Sequence, residues 1–258
     1  HSELCRINPT KLKHLDLFHF DGFPRNLNLS EMALESLDIT CAVDDPMFSL
    51  FDLSLVAHMP LKKLSINNEV VKMIHISTLR SLYLTNCAVD LYELNTLNLD
   101  NLKLVSCQTA GVLSNTKHLE LYETDFIEHK DLNLKGLDMQ HINNHDLSMF
   151  TELEFLRVGA GRLAIESLPL TITALDLNEV LVTTESMRHI ARMPLRSLKL
   201  SSCGIKGQDL ALISHLKLHT LDITDNDIDF EYLGLLRNMK LQTFKYGLKN
   251  DLFLLKMN

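Results

Sequence analysis

Leu195-Arg196-Ser197-Leu198-Lys199-Leu200-Ser201-Ser202-Cys203-Gly204-Ile205 is the stretch that decides the fold. Leu198 and Leu200 flank Lys199 with the two-residue period of a β-strand. The leucines therefore share one side and the lysine takes the other. A single strand of this kind cannot shield its own leucines, so it needs identical neighbours. They are present. Leu218-His219-Thr220-Leu221-Asp222-Ile223 follows, with Asn226 where Cys203 stood, and Ile172-Thr173-Ala174-Leu175-Asp176-Leu177 precedes.

Working outward, the same hexad occurs twelve times. Its middle apolar residue falls at 15, 37, 64, 82, 102, 119, 137, 156, 175, 198, 221 and 244, with spacings from 17 to 27 residues. This explains the composition: leucine makes up 53 of 258 residues, yet the apolar total is an ordinary 46%. Coils stacked at the roughly 4.8 Å strand spacing would merge their leucines into one continuous core. The expected fold is an α/β solenoid of about 12 coils, spanning 1–258 as one domain with caps at 1–11 and 247–258.

Spacing also predicts what closes each coil. The 23-residue copies have room for short helices at Thr183–Met193, Gln208–His215 and Phe230–Met239, and the 27-residue spacing for one at Met47–His58. The central copies, at 17–20 residues, predict tight turns or a turn of 3₁₀ helix.

The pattern L-x-x-L-x-L-x-x-[N/C]-x-L resembles that of the leucine-rich-repeat family. Its ninth position is Cys87, Cys107, Cys203 or Asn226 in four copies, and Phe20, Thr124, Ile142 or Val180 in others. The resemblance implies a curved solenoid with a parallel β-sheet on the concave face and short helices or turns on the convex face. The C-terminal copies are similar to repeats of the ribonuclease-inhibitor and F-box-associated style. Leu168-Pro169-Leu170-Thr171-Ile172-Thr173-Ala174-Leu175-Asp176-Leu177 looks more like repeats of secreted bacterial effectors.

Charge narrows the partners. Asp plus Glu is 33 and Lys plus Arg 25, a formal net charge of -8, which repels phosphate backbones and anionic lipid surfaces. No apolar run approaches a membrane-spanning length. Five cysteines, odd in number and widely spaced, predict thiols in a reducing, cytoplasmic compartment rather than a disulfide framework. For a bacterial effector that compartment would be the host cytosol.

Several apparent motifs dissolve in this frame. Gly159-Ala160-Gly161-Arg162-Leu163-Ala164 satisfies G-x-G-x-x-A, but no crossover helix of normal length fits before the next repeat at Ile172. His141/His145 and His215/His219 have metal-like spacing but no evident third ligand. Cys87 and Cys107 stand at equivalent sites in successive coils, where parallel side-chain directions make a disulfide awkward. No cofactor, metal, small-molecule substrate or catalytic residue is called for, and the chain is not expected to be an enzyme.

Function is therefore expected on the outward strand positions, because their neighbours are committed to the core. The residue between the last two consensus apolars runs Asp16, Asp38, Ser65, Tyr83, Lys103, Glu120, Asp138, Arg157, Asp176, Lys199, Asp222, Lys245. Aromatic and arginine side chains are favoured interface anchors. The partner-binding candidates are Phe18, His19, Asp38, Tyr83, Lys103, Glu120, Tyr122, Glu123, Asp138, His141 and Arg157. The expected function is non-enzymatic recognition of a protein with a basic patch, with the resemblance adding an effector or inhibitor that covers a partner enzyme's active site. The substrate arm of a ubiquitin-ligase-type or signalling adaptor, or an extracellular receptor domain, are the alternatives.

Overall fold

The computed structural model describes residues 9–20, 31–41, 54, 56–67, 76–125, 131–143, 146–247 and 253–255. Most of both expected caps, most of the expected helix at Met47–His58, and the side chain of His19 lie outside the described residues. The chain forms two compact units, His1–Leu132 and Asn133–Asn258.

In the first unit, six parallel strands follow one another in chain order: β1 (His14–Phe20), β2 (Ser36–Cys41), β3 (Lys63–Asn67), β4 (Ser81–Thr85), β6 (Leu99–Val105) and β8 (Thr116–Tyr122). Two three-residue strands, β5 (Ala88–Asp90) and β7 (Gln108–Ala110), pair with each other beside the main sheet. The second unit repeats the arrangement with β9 (Gly136–Asn143), β10 (Phe155–Arg162), β11 (Ala174–Asn178), β12 (Ser197–Ser201), β13 (Thr220–Asp222) and β14 (Thr243–Tyr246). A final strand, β15 (Phe253–Leu255), runs antiparallel to β14. Each of the twelve sequence copies thus supplies one parallel strand. The architecture is a solenoid-like α/β fold.

Register follows the leucines. Residues 15, 37, 64, 82, 102 and 119 face one another across neighbouring strands in the first unit. Residues 137, 156, 175, 198, 221 and 244 do so in the second. A one-residue slip would turn every leucine to solvent, so the register is tightly specified. Nearly all of these apolar positions are buried; Leu15, in the first strand, is only partly covered. Copy six carries Thr116 in place of the first leucine, and that residue is buried as well.

The coil corners share one conformation. Asn86, Ser106, Glu123, Glu179, Ser202 and Asp225 each stand four residues past the middle apolar, with φ between 48° and 57°. Left-handed backbone costs a side-chain-bearing residue about 1–2 kcal/mol. The backbone gains a hydrogen bond in return. Asn86, Ser106, Glu179, Ser202 and Asp225 each donate their N–H to a carbonyl at the end of the next strand's segment, at 2.8–3.1 Å. Glu179 is exposed, so Glu179→Gly is expected to stabilise the fold by about 0.5–1 kcal/mol, the left-handed cost less the added unfolded-chain entropy. Urea denaturation measures it, and a net loss would show that the Glu179 side chain holds the corner.

The next residue turns inward and ties coil to coil. Cys203 Sγ reaches the Leu177 carbonyl of the preceding coil at 3.4 Å. Asn226 does the same more strongly, donating from Nδ2 to Leu200 O at 2.6 Å. Beyond the corners, α2 (Thr184–Ile190) forms within the predicted helix; Thr183 caps it by accepting from Ser186 N–H. The helix expected at Gln208–His215 is a 3₁₀ turn leading into α3 (Leu210–Ile213). At Phe230–Met239 the expected α-helix is instead a 3₁₀ segment, Phe230–Leu236. Gly234 sits inside it, and glycine weakens an α-helix by about 1 kcal/mol. The fourth coil, expected to hold only a turn, fits one short helix, α1 (Leu91–Leu94), with Asp90 accepting from Tyr92 N–H.

Candidate interaction face

The polar side of the parallel strands in each unit is where side chains have no part in the leucine core. In the first unit it carries the aromatic candidates. Phe18 on β1 is 63% exposed. Tyr83 on β4 is half-buried, and Lys63 Nζ from β3 lies 4.8 Å from its ring centroid. Tyr122 on β8 is held the same way, with Lys103 Nζ 4.7 Å from its ring. Lys103 also pairs with Glu120 at 3.0 Å. Lys103 and Glu120 face each other in register, as do Val105 and Tyr122. A lysine held over an aromatic ring gains about 0.5–1 kcal/mol at an exposed site. Each tyrosine ring thus has a lysine of the neighbouring strand set against it.

Asp38 lies on β2, directly opposite Asp16 of β1. Glu123 departs from the expected position. It sits at the left-handed corner after β8, φ 48°, and accepts from Ser106 Oγ at 2.6 Å. It belongs to the turn rather than to the strand face.

In the second unit the outward row alternates in sign. Asp138, Arg157, Asp176, Lys199, Asp222 and Lys245 stand in register on six consecutive strands. Arg157 bridges two neighbours, 3.6 Å to Asp138 and 3.5 Å to Asp176. Lys199 reaches Asp176 at 2.8 Å, and Lys245 reaches Asp222 at 3.2 Å. Like charges directly opposite one another across a sheet are destabilising, and the alternation of this row avoids them, whereas Asp16 and Asp38 of the first unit do face each other. Exposed pairs are worth at most about 1 kcal/mol each. Arg157→Ala is accordingly expected to cost about 1 kcal/mol, shrinking further in high salt, as read from denaturation midpoints. His141 stands toward the far end of β9, opposite Ala160 and away from this row.

Lys63 stands immediately before the middle leucine, outside the row singled out in the sequence, and clamps Tyr83. The alternating charges were visible in the row, but their pairing depends on register, which only the stacked strands fix. Edges of the face are tied by further pairs. Glu35 takes both Lys62 and Lys13, and the Lys62 hydrogen bond and charge hold its carboxyl below the usual range.

Among the described residues no group of three or more His, Cys, Asp or Glu side chains could hold a metal ion. His215 Nε2 is in hydrogen-bonding contact with Ala191 O at 3.2 Å, and His145 lies outside the described residues. The glycines of G-x-G-x-x-A have structural reasons. A Cβ on Gly159 would meet the Gln140 carbonyl oxygen at 2.7 Å, and Gly161 has φ 121°. No described helix is long and apolar enough to cross a membrane. No protein-family model matches the chain, and no curated protein matches its sequence.

Proposed function

We propose that this chain is a leucine-rich-repeat recognition module that binds a protein partner, without catalysis, through the polar side of its parallel strands. The observation that supports this most is the pair of lysine-clamped tyrosines, Tyr83 and Tyr122, on the first unit's strand face. They do nothing for the leucine core, yet each has a lysine of the neighbouring strand set against its ring. Preorganised aromatic groups lose little entropy on binding, which is why they dominate interface energetics. The net charge of -8 favours a partner with a basic patch. The second unit's row has its charges engaged with one another and contributes less.

The test is capture of a binding protein with the full chain, followed by titration. Tyr83→Ala/Tyr122→Ala is expected to weaken binding about 30-fold or more, roughly 2 kcal/mol. Arg157→Ala is expected to cost about fivefold or less, roughly 1 kcal/mol. Unchanged affinity in the double variant would rule this face out. An inhibitor that covers an enzyme's active site is a sharper form of the reading, tested by assaying the captured partner's activity in the same titration. Buried thiols at Cys87, Cys107 and Cys203 suit a reducing, cytoplasmic compartment.

A further inference from the structure

Both lysine-clamped tyrosines share one geometry. Lys63 on β3 stands opposite Ser81 of β4, and its Nζ lies 4.8 Å from the ring centroid of Tyr83, two residues further along β4. Lys103 on β6 stands opposite Glu120 of β8, and its Nζ lies 4.7 Å from the ring of Tyr122, again two residues on. In the second case the lysine also pairs with the opposed carboxylate at 3.0 Å. One cation thus serves an acid and a ring two residues apart on the next strand, which share a face because side chains alternate.

Asp16 and Phe18 of β1 repeat the acid and the ring. Leu15-Asp16-Leu17-Phe18 has the order of Leu119-Glu120-Leu121-Tyr122. Leu17 and Leu121 are both buried, while Asp16 and Phe18 are exposed. What differs is the strand ahead. β1 stands at one end of the sheet, and among the described residues β2 is its only strand neighbour. No described cation pairs with Asp16, and the nearby Lys13 is engaged by Glu35. On its β2 side Asp16 meets a like charge, Asp38, directly opposite. The same edge leaves Leu15 only partly covered, whereas Leu37, Leu64, Leu82, Leu102 and Leu119 are buried.

We propose that a protein partner lays an extended basic segment along the outer edge of β1, with a lysine opposite Asp16 and over Phe18. That lysine takes the place that Lys103 holds toward Glu120 and Tyr122. Backbone pairing at a strand edge supplies affinity, and the side chains supply specificity and register. The apolar residues on either side of the lysine meet Leu15 and Leu17, as Leu102 and Leu104 stand opposite Leu119 and Leu121. The added positive charge also offsets the repulsion between Asp16 and Asp38. This inference rests on the strand-face reading and gives the partner's basic patch a place on that face.

The probe is a synthetic peptide of residues 98–106, which carries Lys103 in its own strand sequence, added to the isotopically labelled full chain. Saturable NMR shifts at the β1 amides are expected. The Lys103→Gln peptide is expected to bind about tenfold more weakly, the combined scale of one exposed ion pair and one cation–π contact. The same loss is expected for the unaltered peptide with Asp16→Asn/Phe18→Leu. Leucine keeps the apolar area and removes the ring face, so a merely hydrophobic contact would not produce it. Tyr83→Ala/Tyr122→Ala is expected to bind the peptide as the parent chain does. Absence of saturable β1 shifts, or equal binding of the two peptides, would overturn the proposal. So would a protein partner whose affinity falls in Tyr83→Ala/Tyr122→Ala but not in Asp16→Asn/Phe18→Leu, a result that leaves the strand-face reading standing.

Discussion

Asn226→Ala is expected to destabilise the chain by about 3–5 kcal/mol, because each buried polar group left unpaired costs about 1–3 kcal/mol. The Asn226 amide is buried and makes five contacts. Nδ2 donates to Leu200 O at 2.6 Å, Ile223 O at 3.1 Å and Thr224 O at 3.0 Å. Oδ1 accepts from Cys203 N–H at 3.1 Å and Ile205 N–H at 3.2 Å. Alanine would strand two N–H groups of the preceding coil where water does not reach. Cys203 occupies the same position one coil earlier, where its sulfur makes weak contacts with two carbonyls, at 3.4 and 3.3 Å. Cys203→Ala is therefore expected to cost about 1 kcal/mol, the scale of one modest hydrogen bond. Urea denaturation of the two variants measures the difference. Equal costs would mean that side-chain size at this site matters and its hydrogen bonding does not.

That comparison shows how unevenly the structure was legible in the sequence. Leucine positions carry a period, and a period survives in one dimension, so the twelve strands could be read directly. The inward Asn226 and Cys203 were recognisable by the same counting. Helix type was harder. Phe230–Met239 has helical apolar spacing, but local tightness and Gly234 give a 3₁₀ segment instead. Pairing across coils was harder still. Lys63 over Tyr83, and Arg157 between Asp138 and Asp176, join residues 19 or 20 positions apart in the chain. Nothing local marks them. Glu123 looked like a face residue because it follows Tyr122, yet the left-handed corner turns it away from the strand. The charged residues of the second unit illustrate a wider point. A row that reads as a binding surface in sequence also has a structural task, because stacked strands bring each charge against the next.

Gly159→Ala and Gly234→Ala are the same chemical change, and they are expected to act in opposite directions. At Gly159 on β10, a Cβ would lie 2.7 Å from Gln140 O, 3.2 Å from Gln140 Cα and 3.3 Å from Gln140 C. All three are main-chain atoms of the adjoining strand, so no rotamer change relieves the overlap. The β9–β10 pairing must shift, and overpacking of this kind costs about 1–3 kcal/mol, more where backbone has to move. We expect about 3 kcal/mol for Gly159→Ala, about the upper end of that range. The shift should also loosen the Asp138–Arg157 contact, which spans the same two strands. At Gly234 a Cβ would meet nothing within 4 Å. There alanine only narrows the unfolded ensemble and favours the helical turn, a gain of about 0.5–1 kcal/mol. The two variants share a hydrophobicity change, so denaturant midpoints moving in opposite directions isolate the backbone clash as the cause. Hydrogen exchange locates it: faster exchange at amides of β9 and β10 in Gly159→Ala, with β12 and β13 less affected, is the expected pattern, because each coil touches only its neighbours. Uniform loss of protection throughout the second unit would instead show that its coils unfold as one cooperative block.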